Sequence, residues 1–211
     1  MSVVDGNMWR AMVMFALLWP LLSCAASGGP VEGVVVVAET GKPIEGAIVV
    51  ARWTAQLNQI ADSSTMCYHV ETTTTDSEGR YLIERWRSSH PPMLQQLFMF
   101  DREVHVTVYA KGYRMPNRLK KDRVTMVPHG VGGIKRLSYL KKLSNATHCG
   151  EAVDSKMNLL LFKQSLYDEA RELASSREGN DIVETLLFGV ESLSVGSDKA
   201  LENMQIRRKN E

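Results

Sequence analysis

Residues 31–128 are written as short apolar runs, each closed by a turn that contains glycine or proline, and that rhythm admits few folds. Val31 to Val37 is β-branched and almost continuous, the pattern of a buried strand. Gly41-Lys42-Pro43-Ile44-Glu45-Gly46 then turns the chain, with glycine permitting positive φ and Pro43 fixing its own. A second strand over 47–53 places Ala47, Val49, Ala51 and Trp53 on one face. Small polar residues over 54–65 predict a long loop. A strand over 66–75, the turn Asp76-Ser77-Glu78-Gly79 and a returning strand over 80–86 follow. Pro91-Pro92 cannot join a ladder. Alternation resumes over 103–110, with Val104, Val106 and Val108 set against His105 and Thr107, and 123–127 reads as a last short strand. About seven short strands separated by turns predict a β-sandwich.

Beyond residue 128 the period changes to that of helices. Gly132-Gly133 marks a hinge, and Ile134, Leu137, Leu140 and Leu143 recur near helical spacing. A longer helix is predicted over 156–175, capped by Asp154 or Ser155, with Leu159, Phe162, Leu166, Ala170 and Leu173 as its buried stripe. Gly179-Asn180 punctuates. Asp181 with Glu184 resembles a capping box opening a further helix, with Ile182, Leu186, Val190 and Leu193 inward. The fold expected is thus mainly β with an α appendage. Residues 31–128 form the sandwich, 129–195 a helical extension and 196–211 a flexible tail.

Four turn-bearing segments carry a family resemblance. They are Val-Glu-Gly-Val-Val-Val at 31–36, Gly41 through Val50, Thr75-Asp76-Ser77-Glu78-Gly79-Arg80-Tyr81, and Ala110-Lys111-Gly112-Tyr113. In that order they resemble the carboxypeptidase regulatory-like domain, a transthyretin-like (prealbumin-type) sandwich of seven strands. The resemblance covers about half the chain. It implies a fold and not an activity, because in metallocarboxypeptidases this module is an appended, non-catalytic domain.

The N-terminal residues set the compartment. Arg10 precedes an apolar run from Ala11 to Leu22, which ends in small residues. This is the layout of a secretory leader, and it is too short to span a bilayer, which takes roughly 20 apolar residues. Leu21-Leu22-Ser23-Cys24 resembles the lipobox of a bacterial lipoprotein. The resemblance implies a leader over 1–23, a linker over 24–30, and acylation of Cys24 (palmitate among the chains), giving an N-terminal anchor in the lipid bilayer. Ala25 after the cysteine resembles the pattern sorted to the outer membrane, facing the periplasm of a Gram-negative bacterium. The other reading of the same residues is ordinary cleavage after Ala25 or Ala26, which discards Cys24.

About 187 residues follow Cys24, enough for one core-forming domain with an appendage. The net charge is +1, and losing Arg10 and Asp5 with the leader leaves it unchanged. Such a balance argues against a nucleic-acid partner, which calls for a basic field. Two cysteines remain, Cys67 and Cys149, and in an oxidising compartment an even pair is most simply a disulfide.

The competing chemistry is a zinc site of Cys67, His69, His148 and Cys149. Cys67 and His69 would share a strand face, but adjacent His148 and Cys149 would need an irregular backbone, and a disulfide consumes both thiolates. A Cys149–His148 nucleophile lacks an orienting third group. Trp53 and Trp86 are candidates for a sugar-stacking platform, against the ordinary reading of core aromatics. Two basic clusters, Arg118, Lys120, Lys121, Arg123 and Lys135, Arg136, Lys141, Lys142, fit either a solvated face or anionic headgroups. No phosphate loop, His-Glu-x-x-His helix or serine elbow is present. The expectation is a non-catalytic envelope lipoprotein without cofactor, binding or scaffolding an envelope protein or a glycan through the sandwich. A carbohydrate-binding module using Trp53 and Trp86, and a Cys/His metal protein, are the alternatives.

Overall fold

The computed structural model describes residues 26–58, 63–88, 99–116, 123–130, 133–149 and 156–196, with scattered positions beyond. The leader, Cys24, the prolines at 91 and 92, the basic residues 118, 120 and 121, and the capping candidates 154 and 155 lie outside the described residues.

Among the described residues, nine strands are followed by helices. The strands are β1 (Ala26–Gly28), β2 (Val31–Val37), β3 (Ile48–Asn58), β4 (Ser63–Thr74), β5 (Arg80–Ile83), β6 (Trp86–Ser88), β7 (Met99–Tyr109), β8 (Tyr113–Arg114) and β9 (Arg123–Pro128). They assemble as β5-β2-β9-β8, β4-β3-β7 and the short pair β1-β6. All pairings are antiparallel except β2 with β9.

The two larger sheets share a core. Val35, Tyr81, Val124 and Met126 of the first meet Val49 and Val108 of the second. Period-2 geometry sends Ile48 and Val50 the other way, to the outer face of β3. There they are buried as well, against helices α1 (Ile134–Ala146), α2 (Leu160–Leu173) and α3 (Arg177–Ser194). A 3-10 turn, Lys156–Leu159, leads into α2. The helices therefore form a third layer on β4-β3-β7. This is why β3 is apolar on both faces where a two-layer protein needs only one.

The turn motifs lock to one another. Ala47 N donates to the Thr75 hydroxyl (2.9 Å), which donates to the Ile44 carbonyl (2.6 Å). Asp76 Oδ1 accepts from the amides of Glu78 and Arg80. Gly79, at φ 72°, is tied to β2 through its carbonyl, which accepts from Val35 N (2.8 Å). A Cβ on Gly79 would lie 2.5 Å from the Val35 carbonyl oxygen, so the position needs glycine for both its φ and its clearance.

Several sequence expectations are corrected. The loop expected over 54–65 is mostly a hairpin, with β3 and β4 paired out to Asn58↔Ser63. Ala55 and Leu57 pack inward while Gln56 bonds across to Thr65 (3.1 Å), an alternation muted because its inward residues are few and small. The last helix starts a turn earlier than the expected capping box. Ser176 is its N-cap and accepts from Gly179 N (3.1 Å). Gly179 breaks nothing: it is buried in the first turn, where a Cβ would come 3.1 Å from Leu137, so its bareness lets α1 and α3 close. Arg207, in the stretch expected as a tail, bonds Glu184 (2.8 Å) and Glu191 (2.9 Å) of α3.

Candidate functional site

Cys67 on β4 and Cys149 just after α1 form a disulfide across the sheet–helix junction, with Cα atoms 5.1 Å apart. The β3–β4 register explains how Cys67 comes to face the helices. Trp53 pairs with His69 and Thr54 with Cys67, so Tyr68 is an extra residue, a bulge. An unbroken strand would have put Cys67 and His69 on one face. The bulge sends Cys67 to the helical layer and His69 to the opposite side.

This overturns the geometry assumed for the Cys67, His69, His148 and Cys149 set. His69 stacks on Trp86 at 3.5 Å between ring centres and bonds Glu71 (3.0 Å). His148 is exposed, and its carbonyl accepts from Arg52 Nη1 (2.9 Å). The four residues do not converge. Among the described residues, no three His, Cys, Asp or Glu side chains gather as a metal site.

Trp53 and Trp86 are 3% and 8% exposed, packed edge to face at 5.3 Å between ring centres beneath β1. Neither presents a ring face to solvent. Arg136, expected on a basic surface cluster, is buried and paired to Glu169 (2.8 Å).

Two cavities flank the disulfide, and His148 borders both. One, of about 600 Å³, opens toward β3, β4 and β7 and contains Arg52 and His105. The other, of about 580 Å³, lies among the helices. Its polar end is Lys163 of α2, whose ammonium donates to the carbonyl and to the hydroxyl (2.8 Å) of Ser144 on α1. Leu159, Phe188 and Leu193 supply apolar walls, and Gly189 keeps α3 from filling the space over Ser144 and Lys163. Among the described residues, none that lines either cavity is acidic. Burial, helped by the Arg52 charge, brings the Lys163 ammonium down to about 8.

Neither Ser144 nor Lys163 drew attention from the sequence, although a signal was present. Leu159, Phe162, Leu166 and Ala170 define the buried stripe of α2, and Lys163 and Glu169 fall on that stripe at helical spacing. A charge on an apolar stripe asks for a partner. Glu169 has one in Arg136, whereas among the described residues Lys163 bonds only to Ser144.

No protein-family model matches the chain, and no curated protein does. Among solved structures, a 9R-lipoxygenase from Cyanothece aligns with 69% of this chain and 24% of its own, at 9% identity and a TM-score of 0.26. The chain spans about a quarter of that enzyme. A likeness this slight carries no argument. Among the described residues, no helix is long and apolar enough to cross a membrane.

Proposed function

We propose that this chain is an exported, non-catalytic envelope lipoprotein, anchored through an acylated Cys24, whose β sheets form a transthyretin-like module that binds a partner protein. The Cys67–Cys149 disulfide is the observation that carries the reading, because such cross-links persist in oxidising compartments and not in the cytosol. It fits the leader-like N-terminus.

The sandwich reading is supported by the two sheets of four and three strands with a common core. It also draws on the hydrogen bonds that knit the turn motifs 41–50 and 75–81. For the partner, β7 is the edge of its sheet among the described strands. It exposes Phe100 and Val104, and Met115 Sδ covers only the Val108 amide near its end. An extended segment of another protein could add there as a further strand.

Mass spectrometry of the mature N-terminus, with thiol titration before and after reduction, tests the compartment. A lipid-modified Cys24 and two thiols released only by reductant are expected. A cytosolic product with both thiols free overturns it. A photo-crosslinker at Val104 in intact cells should capture an envelope protein, and crosslinks confined to glycan would shift the reading to a carbohydrate module.

A further inference from the structure

We propose that the cavity among the helices, beside the disulfide, binds a small organic carboxylate carrying a short alkyl tail. The headgroup would rest on Lys163 Nζ and Ser144 Oγ, with the tail against Leu159, Phe188 and Leu193.

The argument is one of unmatched chemistry. An ammonium has three donors, and among the described residues Lys163 uses two, both on Ser144. The residue is 7% exposed, and no carboxylate among the described residues pairs with it. Arg52, the nearby cation, donates to the neutral His148 carbonyl and pairs with no carboxylate among the described residues. A buried charge without a counter-ion is costly, and natural proteins pair such groups. Here that charge borders a cavity of about 580 Å³ with no acidic lining residue among the described residues, within the ~300–1,000 Å³ typical of small-molecule sites. One ammonium and one hydroxyl suit a monoanion; a phosphate would leave more of its oxygens without donors. The apolar walls select for a tail. This inference does not depend on lipid anchoring or on the β7 partner.

The ligand is testable by calorimetric titration of the full-length, oxidised chain with sodium octanoate, using octan-1-ol as the neutral homologue. Saturable octanoate binding is expected. Lys163→Met should weaken it by about tenfold or more, the loss on removing a charge-assisted hydrogen bond. Ser192→Leu, which narrows the cavity from α3 without touching Lys163, should also weaken it while unfolding at the wild-type temperature. Should Lys163→Met fail to fold, the Ser192→Leu result decides. Absence of saturable binding, equal affinity of Lys163→Met, full affinity of folded Ser192→Leu, or octan-1-ol binding as tightly as octanoate would each overturn the site.

Discussion

Arg136 on α1 and Glu169 on α2 meet in a two-pronged ion pair, Nε to Oε1 at 2.9 Å and Nη2 to Oε2 at 2.8 Å, with side-chain exposures of 3% and 5%. Around it the lone pairs and donors are satisfied from the sheet side. Tyr109 Oη donates to Glu169 (2.8 Å), Gly112 N donates to Oε1 (3.3 Å), and Arg136 also reaches the carbonyls of Tyr113 and Ala110. The pair thus clamps the Ala110-Lys111-Gly112-Tyr113 turn to the helical layer, and Lys111 adds a surface bond to Glu172 (2.6 Å).

Removing one member leaves the other charge buried alone. Glu169→Gln or Arg136→Met should each cost about 3–5 kcal/mol, whereas the double change Arg136→Met with Glu169→Leu should recover most of it. Urea denaturation of the three variants measures this. A single variant within about 0.5 kcal/mol of wild type would show that the clamp is not needed.

The same carboxylate makes stability depend on acid. Burial pushes Glu169 up, but the hydrogen bonds from Arg136 and Tyr109, with the adjacent guanidinium charge, outweigh it and hold it below the usual range. The folded value therefore lies under the unfolded one, about 4.3. Its contribution is complete above the unfolded value and is lost as pH falls through the folded one. Unfolding free energies measured from pH 6 downward should drop more steeply for wild type than for Glu169→Gln. Parallel curves would place the acid sensitivity elsewhere.

Gly79 and Thr75 hold the motif junction. Gly79→Ala meets the Val35 carbonyl at 2.5 Å and a φ of 72°, so a loss of about 1–3 kcal/mol or more is expected. Thr75→Val strands the Ala47 amide and should cost about 1–3 kcal/mol. Gly46→Ala is the comparison: it shares the positive φ but has nothing within 4 Å of its added Cβ, so it should cost less. Thermal melts of the three in one buffer rank them, and equal losses for Gly79→Ala and Gly46→Ala would reduce the glycine effect to φ alone.

What could be read from residues alone divides along physical lines. β2, β9 and the face Ala47, Val49, Ala51, Trp53 were legible, because β-branched runs and period-2 alternation are local signals. The stripe of α2 was legible for the same reason. The hairpin extension beyond Trp53 was not, since Ala55 and Leu57 give too little contrast with Gln56. The sorting of Cys67 from His69 was hidden by the Tyr68 bulge, which depends on pairing with β3 and on nothing in its own segment. Arg136 was read as surface because a charge on a helix usually is. Only the approach of Glu169 and the 110–113 turn from distant parts of the chain makes its burial tolerable.

The disulfide should contribute by an amount that grows with the logarithm of the chain length it closes. Cys67 and Cys149 are 82 residues apart, and the chain-entropy model gives about 4.5 kcal/mol for such a loop. The variant Cys67→Ala with Cys149→Ala should lose about 2–5 kcal/mol, and wild type in reductant should fall to the same level. If reductant leaves the wild-type midpoint unchanged, either the bond is absent or the layers are held without it. Thiol counting in denaturant separates those two outcomes.

Lys163 adds a second pH dependence of the same sign as that of Glu169, but on the alkaline side. Its ammonium is brought down to about 8, against about 10.4 in the unfolded chain. Between those values the unfolded state binds a proton that the folded state does not, so stability rises with pH across that window. The upper part is opposed by Tyr109, which burial and its bond to Glu169 push well above the ordinary phenol range, so that it resists ionising in the folded state. The clean interval is therefore about pH 8 to 9.5. Wild-type unfolding free energy should climb there by of order 1–2 kcal/mol, while Lys163→Met should be flat and, near neutral pH, more stable than wild type. Denaturation curves at closely spaced pH values test the slope. An equal climb in Lys163→Met would show that another group titrates, and a less stable Lys163→Met at neutral pH would mean that the bonds to Ser144 already compensate the buried charge.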